Sequence, residues 1–153
     1  MMFAEIKKII FRNKQNIQWR EVEEYLKSYI GKMFKVMVNG DEISITSDFP
    51  DEYSGSKYTK KLRGALAKAK AKASQVIGEM IENAENRRWV ENKDAKHAKD
   101  ANGGWYRYDT GFSLPVENNG EKYNNYYEAT LIVRIKDGRL YLYDIINIKK
   151  RSE

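Results

Sequence analysis

The chain holds one histidine, His97, in a basic run that reads Glu91-Asn92-Lys93-Asp94-Ala95-Lys96-His97-Ala98-Lys99. That run passes through Gly103-Gly104 into the aromatic segment Trp105-Tyr106-Arg107-Tyr108-Asp109. An imidazole titrates near neutral pH, cations beside it suit a phosphate, and rings just after it can stack on bases. Metal-free RNA cleavage needs that combination. The 2′-hydroxyl attacks the adjacent phosphate, a base accepts its proton, an acid protonates the departing oxygen, and cations stabilise the crowded phosphate. His97 can take either proton-transfer role, and Lys93, Lys96, Lys99, Arg107 and Arg134 can supply the charge. Tyr106, Tyr108, Tyr141 or Tyr143 can stack a base or donate a hydrogen bond. The same residues also suit a binding surface without chemistry, and a lone histidine in a polar loop is commonly an ordinary surface residue.

Other residues carry weaker signals. Asp144 shares a face with Leu140, Leu142 and Ile146 by strand alternation, an odd place for a charge, so it lies near a strand end or pairs with a structural cation, or else it orients an arginine or the histidine. The Asp48/Asp51/Glu52 cluster reads as loop and capping chemistry rather than a metal site. Trp105 and its neighbouring tyrosines read as core rings, with alternation sending every other one to the opposite face. Gly103-Gly104 lacks the strand–turn–helix setting of a nucleotide loop and reads as a hinge or bulge. No serine or cysteine triad is legible.

Composition sets the bounds. With no cysteine among 153 residues, disulfides and thiolate metal sites are excluded, and a single histidine disfavours zinc. No metal or cofactor is expected. No apolar run approaches the roughly 18–20 residues that span a bilayer, and the charged N-terminus does not read as a secretory signal, so a cytoplasmic protein is expected. The net charge of +6 is concentrated: Lys57 to Arg107 holds 13 Lys and Arg against 6 Asp and Glu. Between Tyr53 and Gly78 stand seven cations and no acid. Such a block fits a phosphate-bearing partner, or else a solvated helix face.

The elements that must position these groups follow from periodicity. Asn16 to Ile30 reads as a helix capped by Asn16 and ended by Gly31. Asn39-Gly40 predicts a two-residue hairpin loop with Val36 opposite Ile43 and Phe34 opposite Ile45. Residues 48–55 read as a connecting loop, with Ser56 capping a long helix that buries Tyr58, Leu62, Ala65, Leu66, Ala69, Ala73, Val76, Ile77, Met80 and Ile81. Gly78 predicts a kink near residues 74–78. Lys61, Lys68 and Lys72 share a flank outside that stripe and would form a ridge of positive charge for nucleic acid. Strands are expected at 87–91, 105–108, 112–116, 123–136 and 139–148, with His97 on a polar loop or short helix over 92–103. Asp137-Gly138 predicts a tight turn pairing Ile135 with Leu140, Arg134 with Tyr141 and Val133 with Leu142. The expectation is one α+β domain: an N-terminal helix and β-hairpin, a long basic helix, then a mainly antiparallel sheet with helices on one face.

Several blocks together carry a family resemblance. Phe49-Pro50-Asp51-Glu52-Tyr53 with Ser56-Lys57-Tyr58, Leu62-Arg63-Gly64 and Ala67-Lys68-Ala69-Lys70-Ala71 form one. Glu91-Asn92-Lys93 with Lys96-His97, Gly104-Trp105-Tyr106-Arg107-Tyr108-Asp109, Phe112 and Leu114-Pro115-Val116 form a second. Tyr141-Leu142-Tyr143-Asp144-Ile145 with Asn147-Ile148-Lys149-Lys150 forms the third. Over roughly residues 31–150 this resembles the third type of large polyvalent protein-associated domain, found on bacterial phages and conjugative elements; residues 1–30 then form an N-terminal helical segment. The resemblance implies company with toxins and anti-defence modules, and a helix-then-sheet order similar to the barnase, EndoU, colicin and RelE nuclease group. It implies His97, in its Lys-His motif, as the acid–base residue, with Tyr106, Arg107 and Asp109 following from the aromatic strand motif. EndoU-type sites use a second histidine, which this chain lacks.

Two functions from different classes stand. One is a mobile-element ribonuclease-like protein acting on RNA through His97 and its surrounding cations. The other is a non-catalytic module that binds nucleic acid, a host defence protein or a phage-particle protein.

Overall fold

The longest strands have their turns written into the chain. In the computed structural model, which describes residues 1–11 and 16–152, strands β5 (Trp105–Asn118), β6 (Glu121–Lys136) and β7 (Arg139–Lys150) run antiparallel. Asn119-Gly120 (φ 53° and 82°) and Asp137-Gly138 (φ 51° and 76°) join them with left-handed residues at both central positions, as two-residue hairpin loops require. The second turn pairs Ile135 with Leu140, Arg134 with Tyr141 and Val133 with Leu142, as expected. The chain does not stop between residues 108 and 112; β5 continues. Thr110 Oγ1 donates to the Met80 carbonyl at 2.7 Å, and a Cβ on Gly111 would lie 2.6 Å from the Phe3 ring.

Shorter strands extend this sheet. The order is β1-β5-β6-β7-β3-β2, with β1 (Ala4–Glu5), β2 (Met33–Lys35) and β3 (Glu42–Ser44), while β4 (Glu85–Val90) also pairs with β5. The β1–β5 and β3–β7 pairs are parallel and the rest antiparallel. The N-terminal stretch is therefore not uniformly helical: Ala4–Glu5 joins the sheet, and residues 12–15 lie outside the described residues.

The first hairpin is shifted two residues from the expected register. Phe34 opposes Ile43, and the Val36 N–H donates to the Asp41 carbonyl at 2.8 Å, leaving a four-residue loop from Met37 to Gly40. Asp41 is held from outside the hairpin, by both carboxylate oxygens on Arg87 (3.0 and 2.9 Å) and by the Tyr108 hydroxyl at 2.6 Å. The Asn39 side chain accepts the Asp41 N–H at 2.9 Å instead of occupying a tight turn. Tertiary anchoring of Asp41 outweighs the local preference of Asn39-Gly40.

The helices are shorter than periodicity implies. Helix α1 spans Trp19–Leu26, following Gln18 rather than an Asn16 cap, and a 3-10 turn carries it to Tyr29 before Gly31 (φ 89°). Residues expected as a loop form helix α2 (Phe49–Gly55), with Pro50 in its first turn, where a missing N–H costs nothing. Ser56 does cap the next helix, accepting the Thr59 N–H at 3.1 Å, but that helix is not continuous. It divides into α3 (Lys57–Lys61), α4 (Gly64–Ala73) and α5 (Ile77–Glu82), with a 3-10 turn at Ser74–Val76 where the kink is expected. The earlier break, at Leu62–Arg63, leaves Ala65 and Leu66 exposed rather than buried. Gly78 is required by close approach, since a Cβ there would sit 2.5 Å from the Phe34 ring.

One interaction ties this helical layer to the sheet. Lys70 of α4 is fully buried, and its ammonium donates to Asp144 of β7 at 2.8 Å and to Thr59 Oγ1 at 2.6 Å. The Tyr53 and Tyr58 rings lie 4.5 and 5.1 Å from the same ammonium. Burial pushes the Lys70 ammonium below its ordinary value and the Asp144 carboxyl above its own, each opposed by the partner's charge. Removing one partner strands a charge in the core. We expect Asp144→Leu or Lys70→Met to lower unfolding free energy by about 3–5 kcal/mol, whereas the Lys70→Met/Asp144→Leu double variant recovers most of it. Urea unfolding of the four proteins measures this; additive losses in the double variant would contradict it.

Candidate functional site

His97 ends a 3-10 turn, Ala95–His97, whose start is capped by Asp94 accepting the Lys96 N–H at 2.9 Å. Asn92 clamps the loop: its amide nitrogen donates to the carbonyls of His97 (2.9 Å) and Ala101 (3.3 Å), and its oxygen accepts from Trp105 Nε1 at 3.3 Å. The loop returns through Gly104, at φ 88°, where a Cβ would lie 2.8 Å from Trp89 Nε1, so Gly103-Gly104 is a close-packed entry to β5. These bonds hold His97 inward. It is only 8% exposed, so it is not an ordinary surface histidine.

The imidazole has a partner on each nitrogen. Nδ1 lies 3.1 and 3.0 Å from the two Asp100 oxygens, and Nε2 lies 3.4 Å from the Tyr143 hydroxyl. The carboxylate can only accept, so it selects the tautomer with a proton on Nδ1 and leaves the Nε2 lone pair toward Tyr143. The His97, Trp105 and Tyr143 rings meet edge-on at centroid distances of 5.2, 5.3 and 5.0 Å. Burial and the nearby Glu52 carboxylate push the Tyr143 phenol well up, so it remains protonated at neutral pH.

A β-bulge delivers Tyr143. Val133 pairs with Leu142 but Ile132 pairs with Asp144, so Tyr143 is the unpaired extra residue. The expected alternation of Asp144 with Leu140 and Leu142 is broken there. Asp144 serves the Lys70 pair and does not touch an arginine or the histidine, while Tyr143 enters the site.

Beside the imidazole lies a recess of about 670 Å³ lined by Lys93, His97, Trp105, Arg107, Tyr143 and Asp144, among others. Arg107 is half-buried there, and its guanidinium has no ion-pair partner among the described residues. Lys93 is exposed at the rim, and Lys96 and Lys99 are exposed on the His97 turn and its continuation. His97, Arg107 and Lys93 are thus brought to one place.

Other expected site residues are not. Tyr106 faces away from Trp105 and Arg107 and lies under the Arg87 guanidinium at 4.4 Å. Asp109 accepts from Arg88 at 3.0 Å and Asn86 at 3.1 Å, fastening β4 to β5. Arg134 is buried outside the recess. It donates to Asp48 (2.5 Å), Thr46 (3.2 Å) and Asp100 (3.4 Å) and lies over the Tyr141 ring at 5.4 Å, reaching His97 only through Asp100. Lys61 is exposed on α3, while Lys68 and Lys72 are half-buried on α4, so the three do not form one ridge along one helix. Asp48 belongs to Arg134, and no three His, Cys, Asp or Glu side chains converge as a metal-ligand set among the described residues.

Asp100 was not singled out from the sequence. Its signal was its spacing, three residues after His97, which faces the two side chains together in one helical turn. No protein-family model, curated protein or solved structure matches the chain. No helix among the described residues is long and apolar enough to cross a membrane.

The Asp48–Arg134 pair holds Asp100 in place from behind, and it titrates. Burial raises the Asp48 carboxyl, but the Thr46 hydroxyl and the Arg134 guanidinium outweigh burial and leave it below the ordinary 3.8. A depressed carboxyl stabilises the fold above its unfolded value and loses that contribution as pH falls through the folded value. Asp48→Asn should therefore lower the thermal midpoint by a steady amount between about pH 8 and pH 5, with the gap closing toward about pH 3. An undiminished gap at the acid end would show that the Asp48 charge is not responsible.

Proposed function

We propose that this chain is a metal-independent endoribonuclease, a mobile-element protein of the large polyvalent protein-associated class that acts in the bacterial cytoplasm as a toxin or anti-defence factor. The observation that carries the reading is the Asp100–His97–Tyr143 alignment opening on a recess with an unpaired Arg107. Asp100 fixes the Nδ1–H tautomer, so Nε2 is the base. As the 2′-oxygen bonds to phosphorus, its proton passes to Nε2. As the bond to the 5′-oxygen breaks, that oxygen takes the Tyr143 proton. The imidazolium then returns its proton to the phenolate across the 3.4 Å gap. The products are a 2′,3′-cyclic phosphate and a 5′-hydroxyl, and both residues end as they began. Arg107 and Lys93 stabilise the charge on the pentavalent phosphate. In this reading Tyr143 supplies the acid for which EndoU-type sites use a second histidine, a residue this chain lacks.

A second reading has one observation in its favour. The imidazole is packed edge-on between Trp105 and Tyr143, which also suits a structural post in a module that binds nucleic acid or a defence protein without chemistry. The two readings part cleanly. Under the first, His97→Ala and Tyr143→Phe each cut RNA cleavage by about 10²–10⁴-fold with RNA affinity nearly unchanged, and Asp100→Asn costs on the order of 10²-fold. Cleavage of a labelled RNA in chelator, read by product end-groups, measures this. Equal cleavage by wild type and His97→Ala, or none by either, leaves the binding module, whose affinity would fall with salt and with loss of Lys61, Lys68 and Lys72.

A further inference from the structure

The cations expected to hold nucleic acid sit on the helices and the His97 loop, but a second group gathers at the other end of the sheet. Two recesses adjoin where the β5–β6 hairpin closes, and Tyr123 and Asn124 line both. The first, about 530 Å³, is walled by Lys7, Lys8, Glu117 and Lys122; the second, about 460 Å³, by Tyr126, Lys150 and Arg151. Glu117 is the only acid among these lining residues, against five cations. β1 places Lys7 and Lys8 here by running alongside β5, with the Ile6 N–H donating to the Ser113 carbonyl at 3.1 Å. The end of β7 places Arg151, whose N–H donates to the Tyr126 carbonyl at 2.7 Å.

Two rings in this band are open to solvent. Tyr123 is 45% exposed and Tyr126 43% exposed, although large aromatic rings are normally covered. Tyr126 is also braced: Phe3 meets it edge-on at 5.1 Å, and the Arg151 guanidinium covers Phe3 at 5.5 Å. Cations interleaved with two exposed rings, Tyr126 braced by Phe3, match a polymer of alternating phosphates and bases. The rings would lie inside a duplex only if its bases were already unstacked, so the chemistry favours a single strand.

We propose that the closed end of the β5–β6 hairpin is a second binding surface for single-stranded nucleic acid, with Tyr123 and Tyr126 stacking on bases and Lys7, Lys8, Lys122, Lys150 and Arg151 following the phosphates. It lies roughly 30 Å along the strands from the His97 recess, the length of strand between Trp105 and Pro115. The surface holds a strand whether or not His97 cuts one, so its test is binding alone.

The probe is a labelled oligodeoxyuridine, which lacks the 2′-hydroxyl that the proposed cleavage needs, titrated against the full chain by fluorescence anisotropy at several salt concentrations. Tyr123→Ala/Tyr126→Ala is expected to weaken binding about tenfold or more, and Tyr123→Phe/Tyr126→Phe to restore it, since stacking needs only the ring. Lys122→Ala/Lys150→Ala, both at exposed positions, should flatten the slope of log affinity against log salt by about 1.4. His97→Ala should leave both measurements unchanged, which separates this surface from the cleavage reading. Unaltered affinity in the tyrosine and lysine variants would overturn the proposal. So would inorganic polyphosphate displacing the probe as well as unlabelled oligodeoxyuridine of equal charge, because a surface that ignores bases is only cationic.

Discussion

The contact on which the rest depends is the buried pair between Lys70 and Asp144. An ammonium and a carboxylate removed from water lose several kcal/mol of hydration each, and they persist only if the core supplies substitutes. Here Thr59, the Ile145 N–H and two tyrosine rings do so. The Tyr53 hydroxyl donates back to the Lys70 carbonyl, and the Tyr58 hydroxyl accepts the Ile148 N–H at 2.8 Å, so the ring shell is itself bonded to both layers. The small side chains of α4 fit this arrangement. Ala67, Ala69, Ala71 and Ala73 are all buried, which lets the helix lie close enough for the lysine to reach β7.

That pair has a consequence one residue away. Drawing Asp144 toward Lys70 takes it out of step with Leu142, and the strand absorbs the mismatch as a bulge at Tyr143. The displaced phenol lands against the imidazole. A regular strand would send Tyr143 to the opposite face from Asp144; with the bulge both border one recess. The core ion pair and the candidate site are thus two sides of the same backbone irregularity.

Charge is apportioned with similar economy. Arg87 is spent on Asp41, Arg88 on Asp109, and Arg134 on Asp48 and Asp100. Each of these fastens one element to another. Among the described residues, Arg107 is the one arginine of β4 to β6 with no ion-pair partner, although Glu91, Asp94 and Asp144 also line its recess, and a cation left so is available to an anion from solution. Arg134 acts at one remove, since by holding Asp100 it fixes the ring nitrogen that carries the proton.

Local signals in the chain were sufficient where nothing distant competed with them. Asp137-Gly138 closes β6 on β7 in the register its neighbours predict, and Asn119-Gly120, the same kind of signal, closes the longest ladder. Asn39-Gly40 carries an equal local preference and loses it, because Arg87 and Tyr108 hold Asp41 from elements far along the chain. Lys70 was one of seven cations in an acid-free stretch, yet its spacing from Ala67, Ala73 and Ile77 places it on the buried stripe and not on the solvated flank. The candidate site was legible as a neighbourhood, through His97 and Arg107, and illegible as a geometry. Tyr143 reaches it only through a bulge, and a bulge originates in a side chain seeking a partner 74 residues away, which no local pattern encodes.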